Sequence, residues 1–301
     1  MEIWVGAAIA AAFFQTLRFM LQKVLSASRL TSVGATAARF FYSTPIVWGL
    51  LILYGFASGG PLPTLSAGFW PAAAFGGLTQ IFATICVVAL FKARNFAVGM
   101  TFKKTEVIQV AFVSAILLGE FVSQAGFFAI LIGILGVLLV SDQKLLTDVP
   151  GNRFFNRASG LGLLSGFLFA LSGVSYRAAS LNIYSDDAFL RAALTLVCVV
   201  TWQSLVMFVW LRLRDPDQLV ALWQARKTAI WVGLSSMAGS YMWFVAFTLQ
   251  NAAYVNAVGQ IELIFSILAS RMFFKEKIST REFMGILTII VSVLVLIWAT
   301  H

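Results

Sequence analysis

Four charged residues stand where charge is expensive. Lys103, Lys104 and Glu106 fall in the run GMTFKKTEVIQV, and Glu262 falls in the run NAVGQIELIF. Both runs are otherwise largely apolar. A charge at the centre of a bilayer costs about 2.5–3.5 kcal/mol on insertion scales, which makes such residues functional candidates. The ammonium of Lys103 can hold a carboxylate or another anion. Glu106 and Glu262 can hold an ammonium group, or bind and release a proton. Lys103 and Glu106 are three residues apart, so they share a helix face and can pair with each other. The competing account is that this pair only locks a helix bundle. Lys104 lies about 100° round the helix from Lys103 and is expected to snorkel toward a loop. Gln260 and Asn256 accompany Glu262 on one helix. Tyr241 and Trp243, one helix earlier, can line a cavity with aromatic surface, although packing or an interfacial belt also explains them.

The elements that must position these groups follow from composition. The chain has 301 residues, of which 60% are apolar and 11% charged, with a mean hydropathy of +0.91. Soluble domains carry about 25% charged residues, so the chain reads as an all-α integral membrane protein. About 20 apolar residues of helix cross a bilayer. Ten such spans are expected, at 3–24, 31–54, 67–90, 96–118, 122–141, 157–179, 187–211, 228–248, 251–273 and 281–300. Alternation of the β-barrel kind is absent. The loops Ser141 to Arg157 and Arg212 to Lys227 are too short to fold as domains. The one histidine is His301, which excludes a His-based triad and the usual His-rich zinc site. Cys86 and Cys198 form no CxxC pair and read as buried small hydrophobes.

The net charge of +9 does not point to nucleic acid, because the basic residues lie in short loops between apolar runs. Fifteen of the 21 Lys and Arg residues fall in the odd-numbered loops, whereas even loops offer Glu120, Asp186 and Asp187. The positive-inside rule then places odd loops in the cytoplasm and both termini outside it. Arg18, Arg39, Arg177 and Arg191 lie near span ends and read as snorkelling to headgroups. Asn95 and Asn251 read as helix N-caps. Small residues cluster in the first span and in the sixth, which holds Gly162 and Gly166, and favour close helix approach.

The chain also repeats itself. Asn95–Val140 aligns without a gap onto Asn251–Leu296 at an offset of 156, pairing Glu106 with Glu262, Glu120 with Glu276 and Phe127 with Phe283. The expected organisation is therefore two five-helix units, 1–142 and 157–301. Because five is odd, the units cross the membrane in opposite senses, as inverted repeats around a central cavity.

Ten spans, a five-plus-five repeat and the pairs Gly119-Glu120 and Lys275-Glu276 ending the fourth helix of each half resemble the drug/metabolite transporter superfamily, in its EamA branch of ten-helix permeases. YddG-type amino-acid exporters belong to that branch. The resemblance covers essentially the whole chain. It implies an inner-membrane exporter of amino acids or other metabolites, with a cavity between the halves. Many members are thought to keep both termini in the cytoplasm, opposite to the charge bias here.

The expected activity is secondary transport of a small metabolite by alternating access. The substrate site would comprise Lys103, Glu106, Glu262, Gln260, Asn256, Tyr241 and Trp243. A drug or lipid-precursor exporter is the alternative within transport; a non-transporting scaffold and an intramembrane enzyme are alternatives outside it. No His is buried in the spans and no two carboxylates adjoin in sequence in any of them, so an enzyme is not expected. No GxxxxGK[ST] loop is present, so ATP drive is not encoded. No cofactor or metal is expected. The expected partners are the substrate, the lipid bilayer and, as a candidate coupling ion, the proton; nucleic acid is not among them, and a monomer is expected.

Overall fold

The structure, a computed structural model, describes residues 2–27, 30–58, 61–93, 103–104, 106–140, 157–274 and 280–299. These residues form α1 (Ile3–Ser26), α2 (Ser32–Phe41), α3 (Thr44–Ser58), α4 (Phe69–Ala93), α5 (Glu106–Leu118), α6 (Gln124–Val140) and α7 (Arg157–Leu181). There follow α8 (Ala188–Arg214), α9 (Asp217–Gln224), α10 (Arg226–Leu249), α11 (Ala252–Val258), a 3-10 turn (Gly259–Ile261), α12 (Glu262–Phe274) and α13 (Thr280–Ala299). Among the described residues there is no β-strand, only an isolated bridge between Leu65 and Ile183.

Among the described residues, seven segments are long and apolar enough to cross a membrane, α2 and α3 counting as one, as do α11 and the start of α12; α5, α6 and α13 are shorter apolar helices. The first part of the expected 96–118 span, with Asn95, lies outside the described residues, as do Lys275 and Glu276. Large apolar side chains such as Phe56, Ile116, Phe121 and Trp298 are exposed, while Arg18, Arg39, Lys103, Lys104, Glu106 and Glu262 are buried. Water would not tolerate such an inverted arrangement; a bilayer favours it. The chain is a multi-pass membrane protein.

Local sequence explains the interruptions. Pro45 lacks an N–H, and the hydroxyls of Ser43 and Thr44 donate back to the carbonyls of Arg39 and Phe40. Together these break the second span between α2 and α3. Asn251 caps α11 as expected, its Oδ1 accepting from the Ala253 N–H at 2.8 Å. Gly119 ends α5 with φ +65°, a left-handed conformation suited to glycine. The loop from Arg212 to Lys227 contains α9, a helix the composition did not reveal. Its Gln218 Oε1 accepts from the Thr31 N–H and hydroxyl at 2.8 and 3.1 Å, so the loop docks on the start of α2.

The most extensive helix contacts are α4 with α7, α6 with α13 and α1 with α10, followed by α5 with α7. Each joins a helix of the first half to one of the second. The core therefore runs along the seam between the halves, and that seam positions the site.

Candidate functional site

Glu106 and Glu262 each occupy the first position of a thirteen-residue helix, α5 and α12. A carboxylate in a helix's first turn is favoured by the partial positive charge there. Glu262 follows the 3-10 turn that separates α11 from α12, a break that leaves backbone carbonyls free for side-chain donors. The Lys104 ammonium donates to one of them, Gly259 O, at 2.8 Å.

The charges converge across the seam. Lys103 Nζ lies 3.3 Å from Glu106 Oε2 and 3.2 Å from Glu262 Oε2. Lys104 Nζ lies 2.6 Å from the same Glu262 oxygen. The Lys103–Glu106 pair expected from the i,i+3 spacing is present, but it belongs to a four-membered cluster. Lys104 does not snorkel to a loop. The fold brings Glu262 to it from a distant helix, and a paired buried ammonium is cheaper than an unpaired one. The ammonium of Lys103 also lies over the rings of Phe169 and Phe19, 4.9 and 5.5 Å from their centroids, within cation–π range.

A small cavity of about 30 Å³ opens beside this cluster. Lys103, Glu106, Asn256 and Trp243 line it, together with Gln15, Arg39, Gln80, Ser172, Gly173, Tyr176, Ser240 and three phenylalanines. Trp243 donates its Nε1 hydrogen to Gln15 Oε1 at 3.2 Å and stacks on Phe247. A Cβ on Gly259 would fall 2.5 Å from Trp243 Cη2, so only glycine lets this ring lie against the helix break. Glu262 and Lys104 form the layer behind the cavity wall.

Two expected members lie elsewhere. Gln260 packs toward Gly133 of α6 and Ser292 of α13, because the 3-10 turn rotates it away from the direction a continuous helix would give. Tyr241 lies in a separate groove between α3, α8 and α10, where its hydroxyl donates to Phe189 O at 3.4 Å. Positions 241 and 243 are two apart and diverge by about 200° around a helix, so only Trp243 faces the cavity.

The arginines correct the snorkelling expectation. Arg39 is 3% exposed. Its Nε donates to Ser236 Oγ and its Nη1 to Thr84 Oγ1, both at 3.0 Å, while Nη2 donates to Ser240 Oγ at 3.2 Å and Gln80 Oε1 at 3.5 Å. Gln80 Oε1 also accepts from Gln203 Nε2, which donates to the Tyr176 hydroxyl as well. Arg18 is buried against Gln15 Oε1 at 3.2 Å. Arg191 donates to Ser180 O at 2.9 Å. For Arg39 and Arg18 helix packing encloses the guanidinium before it can reach the lipid surface, whereas Arg191 is only partly buried. Arg39 is the residue that reading one span at a time misses; its partners come from α4 and α10.

Arg177 ties the two halves together beside the cavity. It is the residue after the cavity-lining Tyr176, and its Nη1 donates to the carbonyls of Phe247 and Gln250, each at 2.7 Å. Its Nε donates to both oxygens of Glu120, at 2.7 and 2.8 Å, and Nη2 lies 2.6 Å from Glu120 Oε1. Glu120 also takes part in the turn that ends α5, its N–H donating to Ser114 O at 3.3 Å, so the pair ties that turn to the second half.

Such a constellation at a broken helix between two bundle halves invites comparison with known transporters. Residues 156–298 match the EamA-like transporter family. This EamA-like stretch holds Arg177, Trp243, Asn256 and Glu262 and nine of the fourteen cavity-lining residues; Lys103, Glu106 and Arg39 lie before it. No curated protein matches the chain. It is similar to a solved structure described as "Crystal structure of protein", at 15% identity and a TM-score of 0.67, over 96% of this chain and 94% of that one. The likeness extends beyond the EamA-like stretch and shows the fold over nearly the full length. The family is one of membrane transporters.

Proposed function

We propose that this chain is a secondary active transporter of small polar metabolites, amino acids foremost, acting as an exporter by alternating access. The observation that carries the reading is the buried Lys103–Lys104–Glu106–Glu262 cluster beside a polar cavity at the seam. Its two carboxylates occupy equivalent positions of the sequence repeat and open helices of equal length. The contacts support an inverted repeat of units 1–142 and 157–301: α1 and α7 begin the two halves, α4 and α10 are the third spans, and α1 packs on α10 as α7 packs on α4. A two-fold axis in the membrane plane exchanges those two pairs. The EamA-like match falls on the second unit. A space lined by polar groups supports transport over a scaffold, whose interior side chains would fill.

In this reading Lys103 receives a substrate carboxylate, and Glu106 receives an ammonium group or a proton, with Glu262 holding both lysines behind it. Asn256 and Trp243 complete the wall. Gln260 and Tyr241, which face elsewhere, support from outside the cavity. The Arg177–Glu120 clasp closes one mouth, and rocking of one half on the other opens it in turn. The protein works as a monomer in the inner membrane with both termini outside the cytoplasm. A periplasm-only reporter fused after His301 is expected to be active and a cytoplasm-only reporter dark; the reverse overturns the orientation.

Counterflow in liposomes with labelled amino acids, with and without a pH gradient, tests the activity. Uptake above that of protein-free vesicles is expected for at least one amino acid. Flux equal to empty vesicles for every substrate rejects the transporter reading.

A further inference from the structure

The charges around the cavity do not balance. Lys103 and Lys104 face Glu106 and Glu262, two cations against two carboxylates. Arg39 and Arg18 are then left over. Among the described residues no carboxylate lies within ion-pair distance of either. Arg39 is held by two serines, a threonine and a glutamine, with its guanidinium 4.8 Å from the centroid of the Phe40 ring. Arg18 has Nη1 buried with no hydrogen-bond partner. The Arg177–Glu120 clasp is itself paired and contributes no counter-charge. Among the described residues the interior therefore carries two positive charges in excess, and a buried charge without a counter-ion is costly.

Geometry says where the compensating charge would sit. Thr84 and Ser236, which grip Arg39 at 3.0 Å, do not line the cavity. Ser240 and Gln80, which take Nη2 at 3.2 and 3.5 Å, do line it, and so does Arg39. The Nε and Nη1 contacts thus anchor the guanidinium from behind, and its Nη2 edge faces the free space through its longest bonds. A planar guanidinium presented edge-on suits an oxyanion. Lys103 offers an ammonium on the same cavity wall.

We infer that the cavity selects a small organic anion, bearing carboxylate or phosphate, whose oxygen is received by the Nη2 edge of Arg39 in exchange for Gln80 and Ser240. This rests on the transporter reading and sharpens its substrate class: a ligand of net negative charge is favoured over a neutral zwitterion or a cation. An acidic amino acid satisfies both, with its ammonium at Glu106. Monocationic and neutral amino acids leave the surplus charge uncompensated.

Thermal shift of the purified full chain in detergent, at ionic strength fixed with chloride, tests the inference. The probes are L-aspartate, succinate and glycerol 3-phosphate against L-alanine, L-leucine and L-lysine. At least one anion is expected to raise the melting temperature, with succinate and glycerol 3-phosphate separating carboxylate from phosphate recognition. In Arg39→Gln that anion should bind at least about tenfold more weakly, as loss of a charged hydrogen bond implies. Arg39→Lys should keep part of the affinity, and Arg212→Gln, on the exposed end of α8, should keep all of it. Should Arg39→Gln fail to fold, the wild-type ranking and Arg39→Lys still decide. Equal or stronger stabilisation by leucine or lysine, undiminished anion binding in Arg39→Gln, or no stabilisation by any anion overturns the inference. Counterflow separates the two layers. Neutral amino-acid flux unaffected by anions retires the anion site and leaves the transporter standing. Anion binding lost in Arg39→Gln, with no flux of any probe, does the reverse.

Discussion

The interior cluster and the Arg177–Glu120 clasp are both ion-pair assemblies that tie the first half of the chain to the second, yet they are built for different tasks. In the interior, the side chains of Lys103, Lys104 and Glu262 are 2, 4 and 0% exposed, and one carboxylate oxygen serves two ammonium groups. In the clasp, one arginine meets one glutamate, with side chains 13 and 23% exposed. The clasp is the more exposed of the two, and its bonds are the more easily replaced by solvent. Breaking a solvated pair costs little, and breaking a desolvated one strands a charge. On the proposed transport cycle, the cluster would hold the site together while the clasp is the contact able to part.

The comparison is broken most directly at Glu262. Glu262→Gln leaves Lys103 and Lys104 with Glu106 alone, and is expected to lower stability by about 3–5 kcal/mol, the range for removing one partner of a buried pair. Melting curves in detergent measure it. A loss below 1 kcal/mol, by the same scale, would mean that the cluster is solvated like the clasp.

Glu106→Gln should act more on transport than on folding, because Glu262 still holds both lysines. The double change Lys103→Met with Glu106→Gln separates site from lock: it should insert and fold but fail in counterflow. Near-normal transport in the double mutant would reduce the pair to a structural lock.

At the clasp, Glu120→Gln should cost only about 1 kcal/mol in melting experiments, since the pair is partly screened by solvent. Its effect should appear as a population shift. A change of about 1.4 kcal/mol alters an equilibrium tenfold, so labelling of Ser172→Cys by a membrane-impermeant thiol reagent should rise several-fold in a background with Cys86 and Cys198 replaced by alanine. Unchanged labelling would deny the clasp its gating role.

The smallest effect is expected at Tyr241→Phe. Its hydroxyl makes a long 3.4 Å bond in the outer groove, so stability and flux should stay within about 0.5 kcal/mol and twofold of wild type. A large transport defect would bring that groove into the substrate path.

Much of this molecule is written locally. Hydropathy placed the helices because a bilayer requires about 20 apolar residues from each crossing, a demand met within one segment. The spacing of Lys103 and Glu106 announced their pairing because both lie on one helix, and the 156-residue offset announced Glu262 as the partner position of Glu106. Asn251 could be read as a cap because capping is settled within three residues. Tertiary structure decided the rest. Lys104 meets Glu262 because α11 packs on α5 and so brings the helix break at Gly259–Ile261 to the residues just before α5, which no helical wheel of either segment contains. Arg39 becomes an interior cation because α4 and α10 close over it with hydroxyl groups. Gln260 and Asn256 part company because a single turn of 3-10 helix changes the angle between them. A helix's own sequence determines which residues share its face. What that face meets depends on helices far away in the chain, whose crossing is set by packing along the whole seam.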